Sequence, residues 1–278
     1  MFTIYAALAH RMHSIRRFVW GHRHRRGLAP LTPADREVVA ALEQDGAYRT
    51  SLVAMAAGSI PGADRLCGWA APIAAGLVTE APPRRAKSYV IHGSDAAILA
   101  HPEVLLWGLG ERLLSIVEHY IGLPIAYRGI TVRRDLADGQ YTETRLRHKD
   151  NEDTRIVKII VYLNGVTEVD GPFCYIPKTV FVPRRLPGRL SDPDMDRLVP
   201  RQQQVQCTGP AGTVVFADTC NVWHRGKVPE SNDRLTIFYS YNSQMPRQPK
   251  HCQPLLPPES LAGARLTEKQ RAAVRFAY

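Results

Sequence analysis

The apolar positions of this chain change rhythm near residue 125. Before it they recur mainly at helical spacing, and after it they fall into short, β-branched blocks. Tyr5, Leu8, Met12, Ile15 and Val19 follow the i, i+3, i+4 spacing of an amphipathic helix, with Arg11, His13, Ser14 and Arg17 on the opposite face. Thr32-Pro33-Ala34-Asp35 predicts a second helix, with Thr32 as N-cap and Pro33 at the first position, ending near Asp45 at Gly46. Residues 104–120 give another helical run. The segment 58–83 is rich in Gly, Ala and Pro and is expected to wander over the surface, and Ser88-Tyr89-Val90-Ile91 predicts an outer strand.

The second half reads as strands. Residues 127–134 alternate, with Tyr127, Gly129, Thr131 and Arg133 on one face and Arg128, Ile130, Val132 and Arg134 on the other. Residues 156–163 form a β-branched block, Gly171-Pro172-Phe173 opens a turn and short strand, Gly209-Pro210 precedes the strand 213–218, and 234–239 forms one more. Short strands with this punctuation predict a mainly β fold with N-terminal helices, its core a double-layered jelly roll over about 125–245. The expected organisation is a basic amphipathic segment, 1–30, followed by one domain, 31–278. The connection 178–206 is long and carries Arg184, Arg185, Arg189, Arg197 and Arg201, with a helical turn at about 194–198. Such segments often serve as lids, and a basic lid favours an acidic substrate; a solvated insertion is the other reading.

Candidate chemistry lies on these strands. In His148-Lys149-Asp150, residues i and i+2 point to one side of a strand, so both can ligate a metal while Lys149 faces away. With His224 they make two imidazoles and a carboxylate, the set that binds one face of an octahedral iron(II) and leaves three positions open. Arg234 suits a carboxylate because its guanidinium fork matches two oxygens, and Thr236 shares its strand face as a further donor. His101-Pro102-Glu103 has the same His-x-acid form but reads as a helix start.

The order His148-x-Asp150, strand, Gly171-Pro172-Phe173 and Ile176-Pro177, Gly212-Thr213-Val214-Val215-Phe216, His224, Arg234 resembles the phytanoyl-CoA dioxygenase family of Fe(II)- and 2-oxoglutarate-dependent oxygenases. The resemblance runs over about 127–241, under half of the chain. It implies a double-stranded β-helix, cupin-like in architecture, with His148, Asp150 and His224 as iron ligands and Arg234 on the distal carboxylate of 2-oxoglutarate. It further implies O2 as second cosubstrate, with succinate and CO2 released. Tyr162 matches an aromatic position against the cosubstrate, or is a buried strand tyrosine, and Lys87 is a candidate upstream lysine. Where many relatives continue Ile-Pro as Gly-Ser-His, this chain has Lys178-Thr179-Val180, so the local loop differs. Since Asp150 is present, halogenation is not implied, and hydroxylation of a C–H bond is the default, with desaturation or cyclisation open to the same oxidant. The implied substrate is a small molecule, lipid or carrier-linked compound. Arg133, Arg155 and Lys158 are candidates for an anionic one, the ordinary alternative for Arg155 and Lys158 being ion pairs with Glu152 or Asp153. A noncatalytic jelly-roll protein holding a structural or sensing metal is the competing reading; it gives no reason for Arg234.

Composition adds boundaries. At 278 residues and 45% hydrophobic, the chain can bury about three quarters of its unfolded surface in one core. There is no apolar run near the roughly 18 residues of a membrane span, and no solenoid-period repeat. Cys67, Cys174, Cys207, Cys220 and Cys252 lack zinc-type spacing and are odd in number, so reduced thiols in a cytoplasmic setting are expected. The net charge is +10, and the first 27 residues hold six arginines, four of the ten histidines and no acid. Three readings of that segment stay open: peripheral contact with an anionic membrane, an organellar presequence, or a helix packed on the jelly roll with a solvated basic face. No nucleic-acid module is recognised, and no nucleic-acid partner is expected.

Overall fold

Strand pairing sorts the β-branched blocks into two antiparallel sheets. The structure is a computed structural model and describes residues 2–81, 89–256, 258–261 and 263–276. In chain order the elements are α1 (Phe2–Arg26), α2 (Pro33–Gln44), β1 (Ala47–Ser51), α3 (Leu52–Ala57), α4 (Leu66–Thr79), β2 (Val90–His92), α5 (Asp95–Leu99), α6 (Pro102–Trp107), α7 (Glu111–Ile121), β3 (Ile125–Asp135), β4 (Arg147–His148), β5 (Val157–Tyr162), β6 (Phe173–Ile176), β7 (Arg189–Leu190), α8 (Asp192–Leu198), β8 (Val205–Cys207), β9 (Thr213–Asp218), β10 (Trp223–Gly226), β11 (Arg234–Ser243) and α9 (Glu268–Val274). The larger sheet has the order β1-β9-β5-β11-β3-β2 and the smaller one β7-β4-β10-β6-β8.

One face of the large sheet packs on the helices. Ile130, Val132, Val157, Ile159, Val161, Val214, Phe216, Ile237, Tyr239 and Tyr241 join Leu42, Leu66, Leu105, Leu113, Leu114 and Val117 in the main core. The other face meets the small sheet, where Ile160, Tyr162, Phe173, Tyr175, Val215 and Ala217 make a second, smaller core. The jelly-roll expectation therefore holds, with most of the helices packed on the large sheet.

Local chemistry explains the helix ends. The Thr32 side chain caps α2 by accepting from the Asp35 N–H at 3.2 Å, Pro33 opens the helix, and Gly46 follows at φ +82°. His101-Pro102 opens α6, as its sequence suggests. The run 104–120 is divided, because Gly108 and Gly110 separate α6 from α7.

Two expectations need correction. Residues 58–83 do not wander over the surface: α4 lies within them and buries Leu66, Ala70, Ile73 and Leu77, a helical stripe that the abundance of Gly, Ala and Pro obscured. In β3 the pairing with β11 shifts register between Ser240 and Tyr241, which pair with Gly129 and Tyr127, while Gly129 has φ +110°. This bulge inverts the alternation, so Tyr127 joins Ile130 and Val132 in the helix-side core, whereas Arg133 lines the interior. The insertion 178–206 is anchored by apolar packing. Val180, Val182, Leu186, Leu190, Met195 and Val199 pack with Ile176 and Trp223 on the outer face of the small sheet.

Charge fixes that insertion in place. Asp192 at the start of α8 lies 2.6 Å from Arg225 Nη2 and 3.4 Å from Arg147 Nε, both arginines being buried. Removing one partner of a largely buried ion network leaves the others uncompensated. Asp192→Ala is therefore expected to cost about 1–3 kcal/mol and to open 178–206 to protease before the rest of the chain. Urea midpoints and limited proteolysis measure this; an unchanged midpoint would mean that apolar contacts alone hold the segment.

Candidate metal centre

The two histidines meet because β4 and β10 pair through one residue couple, His224 opposite His148. Antiparallel partners share a face, so both rings point between the sheets, with centroids 4.3 Å apart. His148 Nδ1 is 2.9 Å from Leu146 O and His224 Nδ1 is 3.2 Å from Val222 O. A backbone carbonyl at Nδ1 takes the N–H, so each Nε2 presents its lone pair. Asp150 follows β4 and is fixed by its own N–H to Thr219 O at 2.9 Å. Its Oδ1 lies 3.7 Å from His148 Nε2 and 4.0 Å from His224 Nε2. One ligand atom from each residue falls within 4.8 Å of the others, the only such grouping among the described residues.

Electrostatics prepares the ligands in their metal-binding forms. Burial lowers both imidazoles, His224 to about 3, so they are neutral at ordinary pH. Burial alone would raise Asp150, but the Lys158 ammonium, helped by a hydrogen bond from Thr219, outweighs it and holds the carboxyl below the usual range. Lys158 Nζ sits 2.6 Å from Asp150 Oδ2. One carboxylate oxygen is thus held by an ammonium and the other is left toward the imidazoles, which favours a single metal–oxygen bond.

Beside the triad lies the arginine. Arg234 is 1% exposed; its Nη2 is 2.9 Å from Asp135 Oδ2, and its Nη1 donates to Gly171 O. Asp135 also takes Arg133 Nε at 3.0 Å. Two arginines on one carboxylate leave a net positive charge at this end of the interior. Arg234 Nε and Thr236 Oγ1 are buried without a hydrogen-bond partner. A Cβ built on Gly226 would approach Arg234 Nη2 to 2.8 Å, so glycine keeps the guanidinium in place. Arg133, Thr144, His148, Asp150, Lys158, Phe173, Thr219, His224, Gly226, Arg234 and Phe238 line a cavity of about 80 Å³.

The sequence-derived candidates divide. His148, Asp150, His224, Arg234, Arg133 and Lys158 come together around the cavity. Thr236 sits opposite Tyr162 and Arg133 in the registers of β11. Tyr162 is fully buried; its hydroxyl donates to Cys207 O at 2.7 Å and accepts from Phe173 N at 2.9 Å, so it braces the small sheet against the large one. Arg155 lies elsewhere, paired with Glu43 at 2.5 and 2.9 Å, not with Glu152 or Asp153. Lys158 likewise pairs with Asp150 instead of either expected acid. Lys87 lies outside the described residues. Asp135 and Gly226 went unnoticed in the sequence. Gly226 follows His224 by two positions on one strand, a spacing that could have placed it; Asp135 becomes visible only through its register with Arg234.

No protein-family model matches the chain, and no curated protein matches it in sequence. Solved structures match in fold. EctD from S. alaskensis, crystallised with 2-oxoglutarate and 5-hydroxyectoine, gives a TM-score of 0.55 at 20% identity, over 90% of this chain and 91% of that one. The non-heme alpha ketoglutarate dependent carbocyclase SnoK from nogalamycin biosynthesis gives 0.54 at 17% identity, over 82% and 97%. HygX from Streptomyces hygroscopicus, solved with nickel and 2-oxoglutarate, gives 0.53 at 17% identity, over 77% and 88%. At these identities the likeness establishes the fold, a jelly roll of the kind those enzymes use.

Two outcomes follow from the geometry. Lys158→Met is expected to weaken Co(II) or Ni(II) binding by about 10–100-fold, with Asp150→Ala losing it altogether, as read by calorimetry; equal affinity in wild type and Lys158→Met would show that the ammonium does not orient Asp150. His224 resists protonation in the folded state to about pH 3, while an unfolded histidine takes up a proton near pH 6.5. The metal-free protein should therefore lose stability as pH falls below about 6.5. His224→Gln should flatten that slope in urea titrations, and an identical pH profile would contradict it.

Proposed function

We propose that this chain is a non-haem Fe(II)- and 2-oxoglutarate-dependent oxygenase of the phytanoyl-CoA dioxygenase type. The observation that carries the reading is Arg234: a buried guanidinium beside the triad, with its Nε and the neighbouring Thr236 Oγ1 lacking partners and Gly226 keeping space before it. A metal held for structure alone is normally closed off by protein ligands and has no use for such a cradle. The jelly-roll likeness to enzymes solved with 2-oxoglutarate supports the same reading.

The residues present fit both groups. His148, Asp150 and His224 offer two neutral nitrogens and one carboxylate oxygen, a donor set suited to iron(II) with positions left open. Arg234 and Thr236 offer three kinds of donor to a carboxylate, and Asp135 keeps Arg234 aligned. When bound, iron, 2-oxoglutarate and O2 supply an oxidant able to abstract hydrogen from an unactivated C–H bond, with succinate and CO2 as co-products. The chain positions and protects: Lys158 holds the free oxygen of Asp150, Phe173 and Phe238 wall the cavity, and burial keeps water from the reactive centre. Hydroxylation of a small-molecule, lipid or carrier-linked substrate is the reaction we assign. Arg133 and Lys158, both lining the cavity, support an anionic substrate.

Anaerobic titration of Fe(II)-loaded protein with 2-oxoglutarate tests this through the weak visible charge-transfer band of the chelate. Wild type should develop the band, and Arg234→Ala should require at least about tenfold more 2-oxoglutarate, the loss of a charge-assisted pair being worth about 1.5–3 kcal/mol. Absence of the band in wild type, with metal binding intact, would return the protein to a noncatalytic role.

A further inference from the structure

Helix α1 docks on the body through polar residues and turns apolar ones outward. Arg17 holds it: Nη1 lies 2.8 Å from Asp153 Oδ1 and 3.0 Å from Ser243 Oγ, and Nη2 lies 2.6 Å from Thr154 Oγ1. One turn on, Gly21 is buried where an added Cβ would come within 3.1 Å of Gly122 O, and His24 Nε2 lies 3.0 Å from Glu118 Oε1. Positions 17, 21 and 24 define the inward face. On the opposite side Ile15, Phe18 and Val19 are 58%, 78% and 42% exposed, and Trp20 beside them is 51% exposed. Arg16, Arg23 and Arg26 are exposed around this stripe. The arrangement is the reverse of a helix packed by its apolar face with a solvated basic one.

We propose that the outer face of α1 is a docking surface for an anionic lipid bilayer. Ile15, Phe18 and Val19 would enter the boundary between headgroups and acyl chains, with the arginines extending to the lipid phosphates. Charge complementarity selects this occupant: Arg16, Arg23, Arg25 and Arg26 are exposed on α1, and no acid lies in the first 27 residues. A second copy of the chain is disfavoured by the same arginines, which would face one another across a two-fold contact. No helix among the described residues is long and apolar enough to cross a membrane, so the contact is peripheral.

Vesicle co-sedimentation of the purified full chain tests the proposal, using phosphatidylcholine alone and phosphatidylcholine mixed with phosphatidylglycerol. Wild type should sediment with the mixed vesicles, less at high salt, and stay free of the neutral ones. Phe18→Asp should reduce partition by at least about tenfold, and Arg16→Glu with Arg23→Glu by about fivefold for each arginine. Val53→Asp on α3, another exposed apolar position (80%), should behave as wild type. Circular dichroism and metal binding are expected to be unchanged in Phe18→Asp, since that side chain is outside the core. Equal partition of wild type and Phe18→Asp, no binding to anionic vesicles, or a dimer in sedimentation equilibrium that Phe18→Asp abolishes would each overturn the proposal.

Discussion

The pairing of His148 with His224 across β4 and β10 is the constraint on which the rest of the centre depends. The short strand β4 is held on its other side by β7, where Arg189 pairs with His148. That couple brings two imidazoles into one plane of approach, and carbonyls at both Nδ1 atoms turn the lone pairs inward. Asp150 reaches them only because its own backbone is tied to Thr219 on the strand connection before β10. The 178–206 insertion contributes by covering the outside of this sheet, so that Arg147 and Arg225, neighbours of the two histidines, are buried and both paired with Asp192. A metal site on a two-residue strand needs that reinforcement.

Charges inside the roll are arranged as alternating pairs. Lys158 answers Asp150, while Asp135 lies between Arg133 and Arg234. Each acid is held ionised against the cost of burial by its cations. Removing any one member would strand a buried charge, so the network fixes geometry even where its net contribution to stability is small. It leaves Arg234 aligned yet incompletely satisfied, a condition suited to an anionic ligand.

Helix α1 shows how a sequence pattern can give a helix without deciding which of its faces is covered. The apolar spacing does form a helix, but the body offers acids and carbonyls where α1 lands: Asp153, Glu118, Gly122 O and Met245 O. Against such a surface Arg17 and His24 make the inward contacts, and Ile15, Phe18 and Val19 are turned outward.

Much of the fold and the triad was legible in the sequence, because period-2 patterns, turn glycines and an i, i+2 ligand pair are local features. The β-branched block at 156–163 became β5, Thr32-Pro33 became the start of α2, and His148 and Asp150 came together, although Asp150 lies just past the end of β4. What depends on register or long-range pairing was not legible. The β3 bulge at Gly129 reversed the assignment of Tyr127, and Arg155 found Glu43 across the fold instead of an acid next to it in sequence. Lys158 took Asp150, Asp135 met Arg234, and the apolar residues of 178–206 packed with Ile176 and Trp223. The sequence by itself determined which residue types and strand periods were available, since these follow from neighbouring side chains. Only the tertiary structure decided which charges met and which faces were covered, because partners distant in the chain compete for the same buried space.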